Sequence, residues 1–331
     1  MSVVEPVEDR ATRPDPSLPG GYWTFLGALG ALAGISIVLG HVALGSTLKL
    51  SLAVLFFSLL VLAEFFGANS RWKVSHALYF LLGGILIQGV FGVLTGNTVG
   101  SVSGISNAIS QMGLAMWCVG LGALLGLGLR DKNLLIPVSI FGAAFDIYLV
   151  LTPAGITNQV MKAAPKVFTS VAAQVPVASS QAPTGKAEVL TYIGPADLLF
   201  LAAFFVVLFK FQMNARRTLA LMIPVLVLYM LAVLMFNIAL PALVPIGACV
   251  LIANWSYFKL SRDEWMATGV VAALCVGLIM WSMSRRKPEP ETLAEPSPRA
   301  AAPAAPGSAA KPGPGGSGLH RSASPNAPGN K

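Results

Sequence analysis

The chain has 331 residues, 55% of them hydrophobic and only 11% charged, with a net charge of +8, whereas soluble domains carry roughly 25% charged residues. With a mean hydropathy of +0.72, this excludes an ordinary soluble enzyme and points to an all-α, polytopic transmembrane helical bundle. The positive charge sits largely in loops and the C-terminal tail, which suits the anionic surface of a lipid bilayer; no nucleic-acid-binding motif accompanies it, so no nucleic-acid partner is expected.

Residues 1–21 read as a polar N-terminal tail. Glu5, Glu8, Asp9 and Asp15 interrupt it, and it lacks the short apolar core and cleavage pattern of a signal peptide. A transmembrane helical domain over 22–284 follows. Its apolar runs predict about nine spans, near 22–44, 49–67, 76–95, 107–129, 134–152, 192–213, 217–238, 240–258 and 265–283, most close to the roughly 20 residues that cross hydrocarbon as a helix. Gly27, Gly30 and Gly34 in the first span, and Gly120, Gly122, Gly126 and Gly128 in the fourth, are expected to let helices pack closely. The glycine-rich stretch Gly96 to Gly113 reads as an external loop.

The segment 153–191 is rich in Ala, Pro, Ser, Val and Gln and shows no spanning run, so it reads as one long loop. From 285 to 331 the chain is a basic Pro/Ala/Gly-rich tail of disordered composition. Basic residues in the short loops favour a cytoplasmic N-terminus and an outside long loop, although Arg285-Arg286-Lys287 counts the opposite way.

Only three of the fourteen Asp and Glu residues, Glu64, Asp146 and Asp197, fall inside apolar runs. A carboxylate in hydrocarbon costs several kcal/mol unless it meets a partner or a wet cavity, so it marks a functional site by default. Asp146 lies six residues before the end of its span and Asp197 five residues after the start of the next. At 1.5 Å per residue, both sit about 7–9 Å below the same membrane face. Two carboxylates in one site share a single proton; one then acts as base toward water and the other as acid toward an amide carbonyl. Leu240-Pro241-Ala242-Leu243-Val244-Pro245 opens the eighth span at that same face, and its prolines disturb the backbone ladder. Gly194-Pro195 loosens the helix start beside Asp197 in the same way.

The Phe145-Asp146 pair, the Gly194-Pro195-Ala196-Asp197 stretch and the Pro241-Ala242-Leu243 triplet resemble, in order, the YD, GxGD and PAL signatures of presenilin and signal peptide peptidase type intramembrane aspartyl proteases. The resemblance covers about residues 134–260. It implies a presenilin-like bundle in which Asp146 and Asp197 are catalytic. It also implies that Phe145, Gly194, Ala196, Pro241, Ala242 and Leu243 position substrate, and that transmembrane or signal-peptide-like helices are cleaved without a cofactor or metal. Two departures stand out: Phe145 lacks the tyrosine hydroxyl, and Ala196 adds a methyl where the family has its second glycine. The aspartates also fall on the fifth and sixth spans rather than the sixth and seventh.

The remaining polar residues read more plainly. Glu64 lies three residues from its span end and reads as interfacial, as do His41 and His76. Lys210 reads as a snorkelling lysine, and Tyr148 as packing. Cys118, Cys249 and Cys275 read as small apolar fillers. The alternatives to a protease are a proton- or cation-coupled transporter using the same acids and an inactive presenilin-like scaffold that binds helices.

Overall fold

The computed structural model describes residues 14–18, 20–151, 163, 169–179, 184–236 and 240–284. The tail from 285, Asn237 and all but one of residues 152–168 lie outside these. Nine α-helices occur among the described residues: α1 (Tyr22–Leu39), α2 (Ser46–Ala68), α3 (Val74–Asn97), α4 (Gly100–Gly128), α5 (Leu135–Leu151), α6 (Pro195–Lys210), α7 (Ala215–Phe236), α8 (Leu243–Ala253) and α9 (Arg262–Ser284). Seven of them, all but α6 and α8, are long and apolar enough to cross a membrane, as a multi-pass membrane protein requires. α6 has 16 residues and α8 only 11.

α4 is the central element, packed against α1, α3 and α6. Its glycines form two faces. A Cβ at Gly113 would stand 2.5 Å from the Gln88 backbone nitrogen, and one at Gly120 would stand 2.5 Å from that of Leu81, so this face lies directly on α3. The other face lies on α6, where a Cβ at Gly122 or Gly126 would meet Leu199 or Val206 at under 3 Å. Gly27, Gly30, Gly34 and Gly128 do not pack in this way, since a Cβ there would meet nothing within 4 Å. Their place on the helix faces open surface. Gly100 to Gly113 is helical, so the expected external loop shrinks to the turn between α3 and α4.

The long connection is not all loop. Within it, β1 (Ala173–Val177) and β2 (Glu188–Ile193) pair antiparallel, with Gln174 opposite Tyr192 and an irregularity at Val175-Pro176. Proline has no N–H for the ladder, so it sits where the ladder is interrupted. The sixth helix consequently starts at Pro195 and not near 192, because residues 188–193 are strand. Side-chain amides dock this hairpin onto α4: Asn107 Nδ2 donates to Gln174 Oε1 at 3.0 Å, and the Gln174 N–H donates to Gln111 Oε1 at 3.0 Å. Lys49 Nζ reaches Glu188 Oε2 at 3.4 Å from the start of α2. Gly185, at φ 80°, tucks between Gly40 and Ser101, a left-handed position with no room for a side chain.

Lys210 is held rather than snorkelling. Its Nζ donates to the carbonyls of Gly126, Leu127 and Leu129 at 3.4, 2.7 and 2.6 Å. These carbonyls lie in the last turn of α4 and just beyond it, where backbone oxygens lack helical partners and a cation is favoured. Hydrogen bonds to a charged group contribute about 1.5–3 kcal/mol each. Lys210→Met is therefore expected to lower the Tm of the detergent-solubilised protein by several degrees; an unchanged Tm would show that the carbonyls find other partners.

Candidate active site

Asp146 is buried on α5, 8% exposed, and faces the start of α8. The Leu243 N–H donates to Asp146 Oδ2 at 2.9 Å, and the Ala242 N–H adds to this contact. The sequence of α8 explains why those N–H groups are available. In a helical ladder the Pro241 carbonyl would take the N–H of residue 245, but Pro245 has none, so one ladder bond is missing just where the helix begins. The helix begins at Leu243 with Ala242 as its cap. Its first N–H groups have no partner inside the helix, and a helix N-terminus is a natural seat for a carboxylate. One face of α5 accommodates α8 closely: Ser139 abuts Gly247 and Gly142 abuts Leu243, with Phe200 of α6 also beside Gly142.

Asp197 is the third residue of α6 and half-buried. β2 delivers the chain to Gly194, and Asp197 Oδ2 accepts the Gly194 N–H at 3.1 Å, the carboxylate half of a capping box. Gly194 matters sterically, since a Cβ there would stand 3.0 Å from Asp197 Oδ2. Ala196 lies in the first turn of α6, half-buried. The charge of Asp146 acts on Asp197, so consecutive helices bring both acids to one locality. Phe145 is not drawn in. It is 38% exposed and stacks on Phe141 at 5.9 Å along the outer side of α5.

Two further groups border the acids. Tyr229 of α7 donates its hydroxyl to the Leu240 carbonyl, and both carboxylates act on its phenol. Cys118 of α4 directs its thiol to the Pro195 carbonyl at 3.4 Å. Neither residue is marked by spacing, because each is placed by a backbone carbonyl across a helix interface. Under the hairpin lies a cavity of about 40 Å³, with Asn107, Gln111 and Gln174 among its polar walls and Leu198, the neighbour of Asp197, in its lining. A water needs about 10–15 Å³ of such space together with polar partners, so the cavity is roomy enough for water.

Glu64 is not interfacial. It is 0% exposed, and neither carboxylate oxygen has a hydrogen-bond partner among the described residues. Residues 63–70 are largely buried beneath Trp72 and the strap around Asp15, whose N–H donates to Asn69 Oδ1 at 2.8 Å. This tertiary cover replaces the water that counting along the span places there. An orphaned buried polar group costs about 1–3 kcal/mol, so Glu64→Leu is expected to raise the Tm; a fall would mean that the carboxyl is satisfied. Among the described residues no cluster of three or more His, Cys, Asp or Glu side chains is arranged to hold a metal ion. Comparison of the chain with family models, with curated proteins and with solved structures finds no match.

Proposed function

We propose that the chain is an intramembrane aspartyl protease, related in mechanism to the presenilin and signal peptide peptidase type, which hydrolyses peptide bonds of membrane-spanning or signal-peptide-like helices. The observation that carries this reading is the meeting of Asp146, Asp197 and the Pro241-Ala242-Leu243 backbone at one place, with the Leu243 N–H bonded to Asp146. Two carboxylates brought together on a substrate would share one proton, so that one takes a proton from water while the other gives one to the scissile carbonyl.

A route for water fits the same reading, because the cavity under the hairpin, mostly apolar but with amide side chains in its walls, borders Leu198, the residue next to Asp197. β2 also runs directly into Gly194 and Asp197. A substrate segment unwound from its helix and laid along that strand would reach the acids in extended form, with its carbonyl open to attack.

The test uses purified full-length chain in detergent micelles with a synthetic single-span helical peptide, product being read by mass spectrometry. Cleavage at a defined intramembrane bond supports the proposal. Binding of the peptide without any product would replace it with a helix-binding scaffold, and acid-dependent ion flux in vesicles without product would replace it with a transporter.

A further inference from the structure

We propose that Tyr229 is a positioning residue for the acid pair, acting through Leu240 and the start of α8; this rests on the reading of Asp146 and Asp197 as catalytic. The Leu240 carbonyl belongs to the Leu240–Pro241 bond and lies before the first turn of α8, outside that helix's ladder. A carbonyl in that place needs a partner from elsewhere. The Tyr229 hydroxyl supplies it.

Tyr229 stands in α7, five residues after the internal Pro224. Proline removes one ladder bond from a helix, and Tyr229 lies between that point and the end of α7 at Phe236. From Leu240 the path to the acid is short. Three residues on, the Leu243 N–H holds Asp146 Oδ2 at 2.9 Å. The far side of α8 is fixed by Gly247 against Ser139 and Leu243 against Gly142. The segment between Leu240 and Leu243 is thus pinned at one end by Tyr229 and at the other by Asp146. A phenylalanine at 229 keeps the ring and loses only the hydroxyl, so the variant removes the pin without leaving a cavity.

The experiment compares wild type, Tyr229→Phe, Asp146→Ala and the double variant, each as full-length chain in micelles with the single-span peptide as probe. Tyr229→Phe is expected to lower kcat about ten-fold, because small misplacement of a catalytic group is costly. KM should stay within about two-fold, because the side chain does not touch substrate. The Tm losses of the two single variants are expected to sum to more than the loss in the double, since both release the same segment. An unchanged kcat, or Tm losses that simply add, would overturn the proposal. Should wild type cleave nothing, the protease reading fails by that result alone. The Tm cycle then still decides the link between Tyr229 and Asp146: coupled losses support it and additive ones sink it.

Discussion

Alanine at either Asp146 or Asp197 is expected to abolish cleavage, each lowering kcat by about 10³-fold or more, and the double variant should be no worse than either single. A proton shared between two carboxylates is a property of the pair, so losing one acid removes the base and the acid together. The two sites differ in stability, however. Asp146→Ala strands the Leu243 N–H in a buried place and should lower the Tm, at about 1–3 kcal/mol for a buried donor left alone. Asp197→Ala loses a bond from Gly194 at a half-buried helix start and should cost about 1 kcal/mol, as capping residues do. Asp146→Asn separates chemistry from folding, because its amide oxygen still accepts from Leu243 while the shared proton is gone. Folded, inactive Asp146→Asn is the expected result. Product formation that survives in both alanine variants would end the two-aspartate mechanism.

The helices are legible because length and apolarity decide them: α2, α3, α5, α7 and α9 each fall within about three residues of an apolar run, whereas α4 starts seven residues earlier than its run, inside the glycine-rich stretch read as a loop. The two acids were legible for the same reason, as charges where hydrocarbon was expected. What sequence could not give depends on who lies across the interface. The strands at Ala173–Val177 and Glu188–Ile193 carry no hairpin turn signal; amides of Asn107 and Gln111 on α4 hold them in place. Glu64 lies near enough to its span end to read as wet, yet Trp72 and the Asp15 strap close over that end. A four-residue glycine spacing in α1 (Gly30, Gly34) and in α4 (Gly122, Gly126) has opposite meanings, since only the α4 pair meets another helix. Tyr229 carries no motif at all, and its partner is a main-chain oxygen on another element.

Pro241 and Pro245 show the reverse case, in which a sequence feature is read correctly but its consequence needs coordinates. Their spacing of four forbids one ladder bond, which was evident from sequence. That the N–H groups of Ala242 and Leu243, at the start of the helix, turn toward Asp146 follows only from the packing of α8 on α5. The short length of α8 is part of the site, because a helix continued upstream would spend those donors internally.

Gly122→Ala is expected to lower both the stability of the fold and the rate of cleavage. Its Cβ would lie 2.6 Å from the Leu199 oxygen, 2.8 Å from Ala202 Cβ and 2.9 Å from the Ala203 nitrogen. Two of these atoms are backbone, which no rotamer change can move, so α6 must shift as a body by on the order of 1 Å to restore contact distance in a close-packed interior. Overpacking of this kind costs about 1–3 kcal/mol, and the Tm should fall accordingly. α6 also carries Asp197 at its third position. A displacement of about 1 Å at a catalytic group costs roughly 10²-fold in rate, so kcat should drop well beyond what the lost stability explains at temperatures far below Tm. Gly30→Ala in α1 is the matched control. It adds the same methyl where nothing lies within 4 Å, and replacing a mid-helix glycine by alanine favours the helix by about 0.5–1 kcal/mol, so its Tm should hold or rise with activity intact. If Gly122→Ala behaved like Gly30→Ala, α4 and α6 would not be in backbone contact, and that packing could not fix the position of Asp197.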